Sequence, residues 1–135
     1  MNAALEFKAR VESGDVVGAT GLFADDVVLH SPVKFRPFEG IDAVRALFRV
    51  LQRTFADFRY VGQYDGPNGH VLHFRTLVEG KQVEGIDLLE LDDEGRIGAI
   101  TVMIRPQSAL IAVGEAILAG LVADGVVPAG GPTPS

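Results

Sequence analysis

The run His70–Leu91, HVLHFRTLVEGKQVEGIDLLEL, decides the fold. It alternates with period two on both sides of Gly80-Lys81, so it reads as two antiparallel strands joined by a tight turn. A two-residue turn at Gly80-Lys81 pairs Glu79 with Gln82, which sets Phe74 opposite Asp87 and Leu72 opposite Leu89. One face then carries His70, Leu72, Phe74, Thr76 and Val78 against Val83, Gly85, Asp87, Leu89 and Leu91. The other mixes His73, Arg75, Glu79, Glu84 and Glu90 with Val71, Leu77, Ile86 and Leu88, a pattern suited to solvent or a subunit contact. On that outer face His73 and Arg75 are expected to pair with Glu84 or Glu90. Asp87 is left as a carboxylate on an apolar face, where it must be neutralised, paired or used.

Turn-forming segments flank the run. Gly66-Pro67-Asn68-Gly69 precedes it and Asp93-Glu94-Gly95 follows, which gives strands over about 57–65, 70–79, 82–92 and 96–105. A tight turn at Asp93-Glu94 adds Ile100, Val102 and Ile104 to the Asp87 face and puts Thr101, Met103 and Arg105 on the other. Gly95 leaves a bulged three-residue loop as the alternative. Tyr60 and Tyr64 share a strand face under strict alternation.

Upstream, residues 2–13 read as a short helix with Leu5, Phe7 and Val11 toward the core, stopped by Gly14. Asp15 caps a second short helix to about Phe23, and Asp25-Asp26 reads as a turn. Val27–Ser31 is a strand ended by Pro32, with His30 and Ser31 on opposite faces. The loop 32–40 holds Phe35 and Phe38, which are candidates for the pocket mouth. Asp42 is expected to cap a helix carrying Val44, Leu47, Phe48, Leu51 and Phe55 at helical spacing. Gln107 to about Ala123 reads as a terminal amphipathic helix whose apolar residues are broad for one face; it either packs across an open end or acts as a lid or dimer element. The expected fold class is α+β: helices packed on a curved, mostly antiparallel sheet, with an extra C-terminal helix. Residues 1–125 form one domain in this reading, and 126–135 a Pro/Gly-rich tail.

The chain has 135 residues and a net charge of −6, with 12 Lys and Arg scattered along it. This argues against a nucleic-acid partner, which needs a basic footprint. There is no cysteine, which excludes disulfides, thiolate metal sites and cysteine nucleophiles. The three histidines lack ligand spacing, and no metal or other cofactor is expected. No run reaches the roughly 18 apolar residues of a membrane span, and the charged N-terminus does not read as a signal peptide; a cytoplasmic location is expected.

The element order resembles the nuclear transport factor 2-like superfamily, carried by Gly14-Asp15, Phe23-Ala24-Asp25-Asp26-Val27-Val28, His30-Ser31-Pro32-Val33, Phe38-Glu39-Gly40-Ile41 and Asp92-Asp93-Glu94-Gly95-Arg96-Ile97. Within it the chain looks most like SnoaL-like polyketide cyclases and ketosteroid isomerases. The resemblance covers roughly residues 3–106. It implies a cystatin-like α+β cone, helices wrapped on a bent sheet around a deep apolar pocket, and a homodimer. It places Asp87 on the isomerase's proton-donating aspartate, a carboxylic acid held neutral by its apolar site so that it can donate to a developing oxyanion. The other positions depart from that pattern. Ser31, with His30 beside it, stands where the isomerase has its basic aspartate, and Phe7 stands where it has its oxyanion-hole tyrosine. His30 is the candidate replacement base. Nor is there a match to the two aspartates and arginine of the related epoxide hydrolases.

Three functions follow as expectations. The first is a protein binding a small, largely apolar ligand, polycyclic or polyketide-like. The second is a cofactor-independent isomerase or cyclase that uses Asp87 as acid or hydrogen-bond donor, with His30 as base. The third is a dimeric scaffold with a filled pocket. The candidate ligand-binding residues are Phe7, Ser31, Phe35, Phe38, Tyr60, Leu72, Phe74, Leu89, Ile100 and Val102.

Overall fold

A computed structural model describes residues 2–127. The tail expected over 126–135 therefore lies, from residue 128 onward, outside the described residues. Helix α1 (Ala3–Glu12) begins where the Asn2 side chain accepts a hydrogen bond from the Leu5 amide at 2.9 Å. It buries Ala4, Phe7 and Val11, while Leu5 stays half-buried. A 3₁₀ turn (Gly18–Leu22) follows, with Asp15 accepting from the Gly18 amide at 3.0 Å. Next come β1 (Phe23–His30), the two-residue β2 (Phe38–Glu39), α2 (Ile41–Thr54), β3 (Ala56–Gly66), β4 (Gly69–Val78), β5 (Lys81–Leu91), β6 (Ile97–Arg105) and α3 (Gln107–Ala123).

The six strands form one sheet in the order β2-β1-β6-β5-β4-β3. Only the β1–β6 pair is parallel; the others are antiparallel. The helices cover one face of this sheet. Their shared core holds Phe7, Phe23 and Phe48, whose rings meet at centroid distances of 5.3 to 6.1 Å. The expected α+β cone with a C-terminal helix is the observed architecture.

Several local expectations are corrected. Asp25-Asp26 is not a turn but an exposed part of β1, where the pairing with β6 shifts register between Phe23 and Val28. Gly40, at φ 88°, precedes α2 in place of the expected Asp42 cap. The central hairpin turns at Glu79-Gly80 instead of Gly80-Lys81. Both residues have positive φ, 51° and 78°, the conformation that matches strand twist in a two-residue turn. Leu72 therefore faces Asp87, and Phe74 faces Gly85. A Cβ on Gly85 would lie 2.6 Å from Phe74 Cζ, so the ring occupies the space that a glycine leaves open. This slip is two residues, so every side chain keeps its face.

The second hairpin reaches the same result by two compensating steps. Its turn holds three residues, Asp93-Glu94-Gly95, closed by the Asp92 amide donating to the Arg96 carbonyl at 2.8 Å. A bulge between Glu90 and Leu91 adds the second residue of offset. Asp87 pairs with Val102 rather than Ile100, and Ile100, Val102 and Ile104 stay on its face. On the outer face Glu84 takes hydrogen bonds from Arg105 at 2.8 Å and His73 at 2.9 Å, with Arg75 at 3.2 Å. The Arg105 hydrogen bond, and then the His73 hydrogen bond, hold the Glu84 carboxyl down to about 2.

Candidate functional site

Between the helices and the sheet lies a cavity of about 90 Å³. Two aromatic groups wall it. Phe7 and Phe48 stand on the α1–α2 side. On the sheet side Phe58 stacks on Phe74 at 5.0 Å and meets Tyr60 edge-on at 5.0 Å, with Phe55 at 5.9 Å from Phe58. Each such pair adds about 0.5–1.5 kcal/mol beyond area burial, so this wall is stiff. Val113 and Ile117 of α3 close the remaining side.

Four polar side chains line this space: Asp87, Tyr60, Ser31 and Gln52. Asp87 comes from mid-β5, and Tyr60 reaches it from β3 across the intervening strand β4. The Tyr60 hydroxyl donates to Asp87 Oδ2 at 3.3 Å. Burial pushes the Asp87 carboxyl up to about 7, against the opposing pull of the Tyr60 hydrogen bond. Burial, and then the charge of Asp87, push the Tyr60 phenol well above its ordinary value. The pair thus holds at most one negative charge near neutral pH, and it presents a carboxyl that switches between donor and acceptor there.

Tyr60 reaches the cavity because of a bulge. Tyr60 pairs with Phe74, but Gly62 pairs with His73, so Val61 is the extra residue. The bulge reverses the strand's alternation, and Tyr64 lands on the outer face, 65% exposed. The two tyrosines do not share a face.

Of the residues singled out in the sequence, Phe7, Ser31, Tyr60, Phe74, Asp87, Ile100 and Val102 line the cavity. His30 does not: it is exposed and pairs with Thr101 on the outer side, because Leu29 and Ser31 take the inner positions. Phe35 stands 96% exposed, away from the cavity. Phe38 is half-buried under the Lys34 ammonium, which sits 4.1 Å from its ring centroid. Leu72 and Leu89 are fully buried core residues that do not border the cavity. The sequence reading missed Phe58, although it lies two residues before Tyr60 and shares its face by simple alternation. It also missed Pro32, Gln52, Val113 and Ile117, which arrive from elements whose docking no local pattern specifies.

Among the described residues no cluster of three His, Asp or Glu could hold a metal ion. No helix among them is long and apolar enough to cross a membrane.

A bent sheet wrapped by helices around a largely apolar cavity with one half-buried carboxyl defines a nuclear transport factor 2-like protein. Residues 4–100 match the SnoaL-like domain model, and the chain belongs to that family. Its structure is similar to a steroid delta-isomerase from Pseudomonas aeruginosa, at 30% identity, TM-score 0.85 and 93% coverage of both chains. It is similar to an uncharacterised bacterial protein with a cystatin-like fold from Silicibacter pomeroyi, at 26% identity and TM-score 0.85, covering 91% of this chain and 87% of that one. The fold is also shared with SalBIII, an epoxide hydrolase/cyclase-like enzyme with a role in pyran ring formation in the polyether salinomycin. That likeness has 18% identity and TM-score 0.64, covering 76% of this chain and 86% of that one. Among curated proteins none matches.

Proposed function

We propose that this protein binds a small, largely apolar ligand, polyketide-like or polycyclic, and orients it by one polar group held against Asp87 and Tyr60. The observation that carries this is the Asp87–Tyr60 pair set in a largely apolar cavity. A ligand carbonyl or hydroxyl there exchanges one hydrogen bond with a carboxyl whose pKa is about 7. At 90 Å³ the cavity is smaller than the 150 Å³ or so that accepts benzene, so a ligand with fused rings must displace side chains of the wall.

A second reading, an isomerase or cyclase, is favoured by the likeness to the steroid delta-isomerase. In it, Asp87 donates a hydrogen bond to the oxyanion that forms when a proton leaves carbon beside a carbonyl. With Ser31 in the cavity and His30 outside it, the titratable groups lining the space are Asp87 and Tyr60. Asp87 then starts ionised, takes the proton from carbon, donates to the oxyanion as the acid so formed, and returns the proton to carbon, for which a pKa near 7 is suited. A homodimer is proposed on the same footing, through the outer sheet face, and sedimentation equilibrium tests it.

The deciding experiment is a thermal-shift screen of steroids, phenols, small ketones and aromatic polyketides on wild type and Asp87→Asn at pH 6 and pH 8. A shift for one chemical class that changes with Asp87 supports an occupied pocket anchored there. No shift with any compound would refute ligand binding and leave the filled-pocket scaffold. Unchanged turnover in Asp87→Asn would refute the enzymatic reading.

A further inference from the structure

A second and larger hollow adjoins the cavity. It is a groove of about 590 Å³ between the 32–38 loop and α3, lined largely by apolar side chains. Pro32 and Ile117 border both spaces, so a single layer of side chains separates them. α3 is anchored unevenly along this boundary. Its C-terminal half is pinned to α2: Gly120 abuts Val50, and Arg53 donates to the Gly120 carbonyl at 3.2 Å and to Asp124 at 2.8 Å. Farther toward the N-terminus Ala109, Ala112 and Val113 are buried in the core, and on the groove side a Cβ at Gly114 would stand 3.2 Å from Val33, an apolar contact with the loop. Pro32 and Ile117, the side chains common to both linings, are apolar and form no side-chain hydrogen bond.

The groove has one cationic feature. Lys34 lies on its wall with its ammonium over the Phe38 ring, and among the described residues it forms no ion pair. Burial and then the charge of Arg36 lower its pKa, the behaviour of a cation short of compensating anions. Glu115 also borders the groove but is exposed and makes no pair with Lys34.

Resting on the pocket reading above, we infer that the ligand is a chain-like amphiphile that spans both spaces: a carbonyl or hydroxyl head at Asp87 and Tyr60, an apolar body passing between Pro32 and Ile117 into the groove, and a carboxylate at Lys34. The size of the inner cavity requires a narrow head, since a space below that needed for benzene admits an alkyl chain more readily than a ring. The outer groove supplies the apolar area that the inner cavity lacks. Lys34 supplies the charge that favours an acid over its ester.

The test uses methyl-ketone fatty acids of graded chain length, their methyl esters, and small acyclic ketones from acetone to butanone as probes of the inner cavity alone. Affinities are measured by calorimetry on the full chain and on Lys34→Ala and Leu118→Trp. Leu118 borders the groove but not the inner cavity. Affinity for the acids is expected to rise with chain length. Wild type is expected to prefer acid over ester by about fivefold, the scale of one partly exposed charge contact, and Lys34→Ala to lose that preference. Leu118→Trp is expected to lose the gain from chain length while still binding the small ketones. If the small ketones bind and the long acids do no better, or if Lys34→Ala keeps the acid preference, the two-chamber ligand is overturned and the pocket reading stands. If not even the small ketones bind, the pocket reading falls, and this inference with it.

Discussion

Asp87→Asn is expected to abolish much of the stability loss that the wild-type protein shows between pH 5 and pH 8. The folded protein holds the Asp87 carboxyl up to about 7, against 3.8 for an unperturbed aspartate. Below about pH 3 the group is neutral in both states and has no effect. As the pH rises through this window the unfolded chain releases the proton and the folded chain does not, so unfolding becomes easier. Above pH 7 the penalty is complete and constant. The difference of about 3 units corresponds to roughly 4 kcal/mol in all, of which the interval from pH 5 to pH 7 accounts for about 2.7 kcal/mol. Against a total stability of about 5–15 kcal/mol that is a large effect, near 8–10 °C in Tm for a chain of this size. Asparagine keeps the shape of the side chain and can accept from Tyr60, but it does not titrate. Urea unfolding of wild type and Asp87→Asn at pH 5, 6, 7 and 8 reads the difference directly. The mutant should gain on wild type steadily up to pH 7 and then hold its lead. Parallel stability curves across the whole range would refute the assignment of a buried, proton-holding Asp87.

Three further outcomes are expected. Tyr60→Phe removes the hydrogen bond that stabilises the Asp87 carboxylate, so the carboxyl should titrate higher than in wild type; a ¹³C-detected titration of Asp87 that moves down or stays put would contradict the pairing. Gly85→Ala places a methyl group 2.5 Å from the Met103 carbonyl and 2.6 Å from Phe74, and should cost about 1–3 kcal/mol in denaturant unfolding; a neutral effect would mean that Phe74 does not lie over this glycine. Phe58→Ala should enlarge the cavity, lowering stability by less than the roughly 3–5 kcal/mol of a fully buried phenylalanine because Phe58 is half-buried, while raising affinity for ring ketones over chain ketones, as calorimetry with matched pairs would show.

The strand faces were readable from the chain because side-chain alternation is a local property. Both hairpins are offset from the simplest turn, one through a left-handed Glu79-Gly80 pair and one through a three-residue turn plus a bulge. Each offset amounts to two residues, so Asp87 keeps its apolar neighbours although its cross-strand partners change. The bulge at Val61 is an odd offset, and it separates Tyr60 from Tyr64. A bulge is selected by how a strand bends to fit its neighbours, which the residues at that point do not announce.

Sequence by itself determined the family, the element order and the inward position of Asp87. These rest on periodicity, turn chemistry and motif order, all written along the chain. Tertiary structure alone decided that Tyr60 is the partner of Asp87, that His30 faces outward and that Pro32 and Ile117 border both the cavity and an outer groove. Those facts depend on contacts between residues distant in sequence, where the packing of whole elements chooses among arrangements that local preference leaves equal.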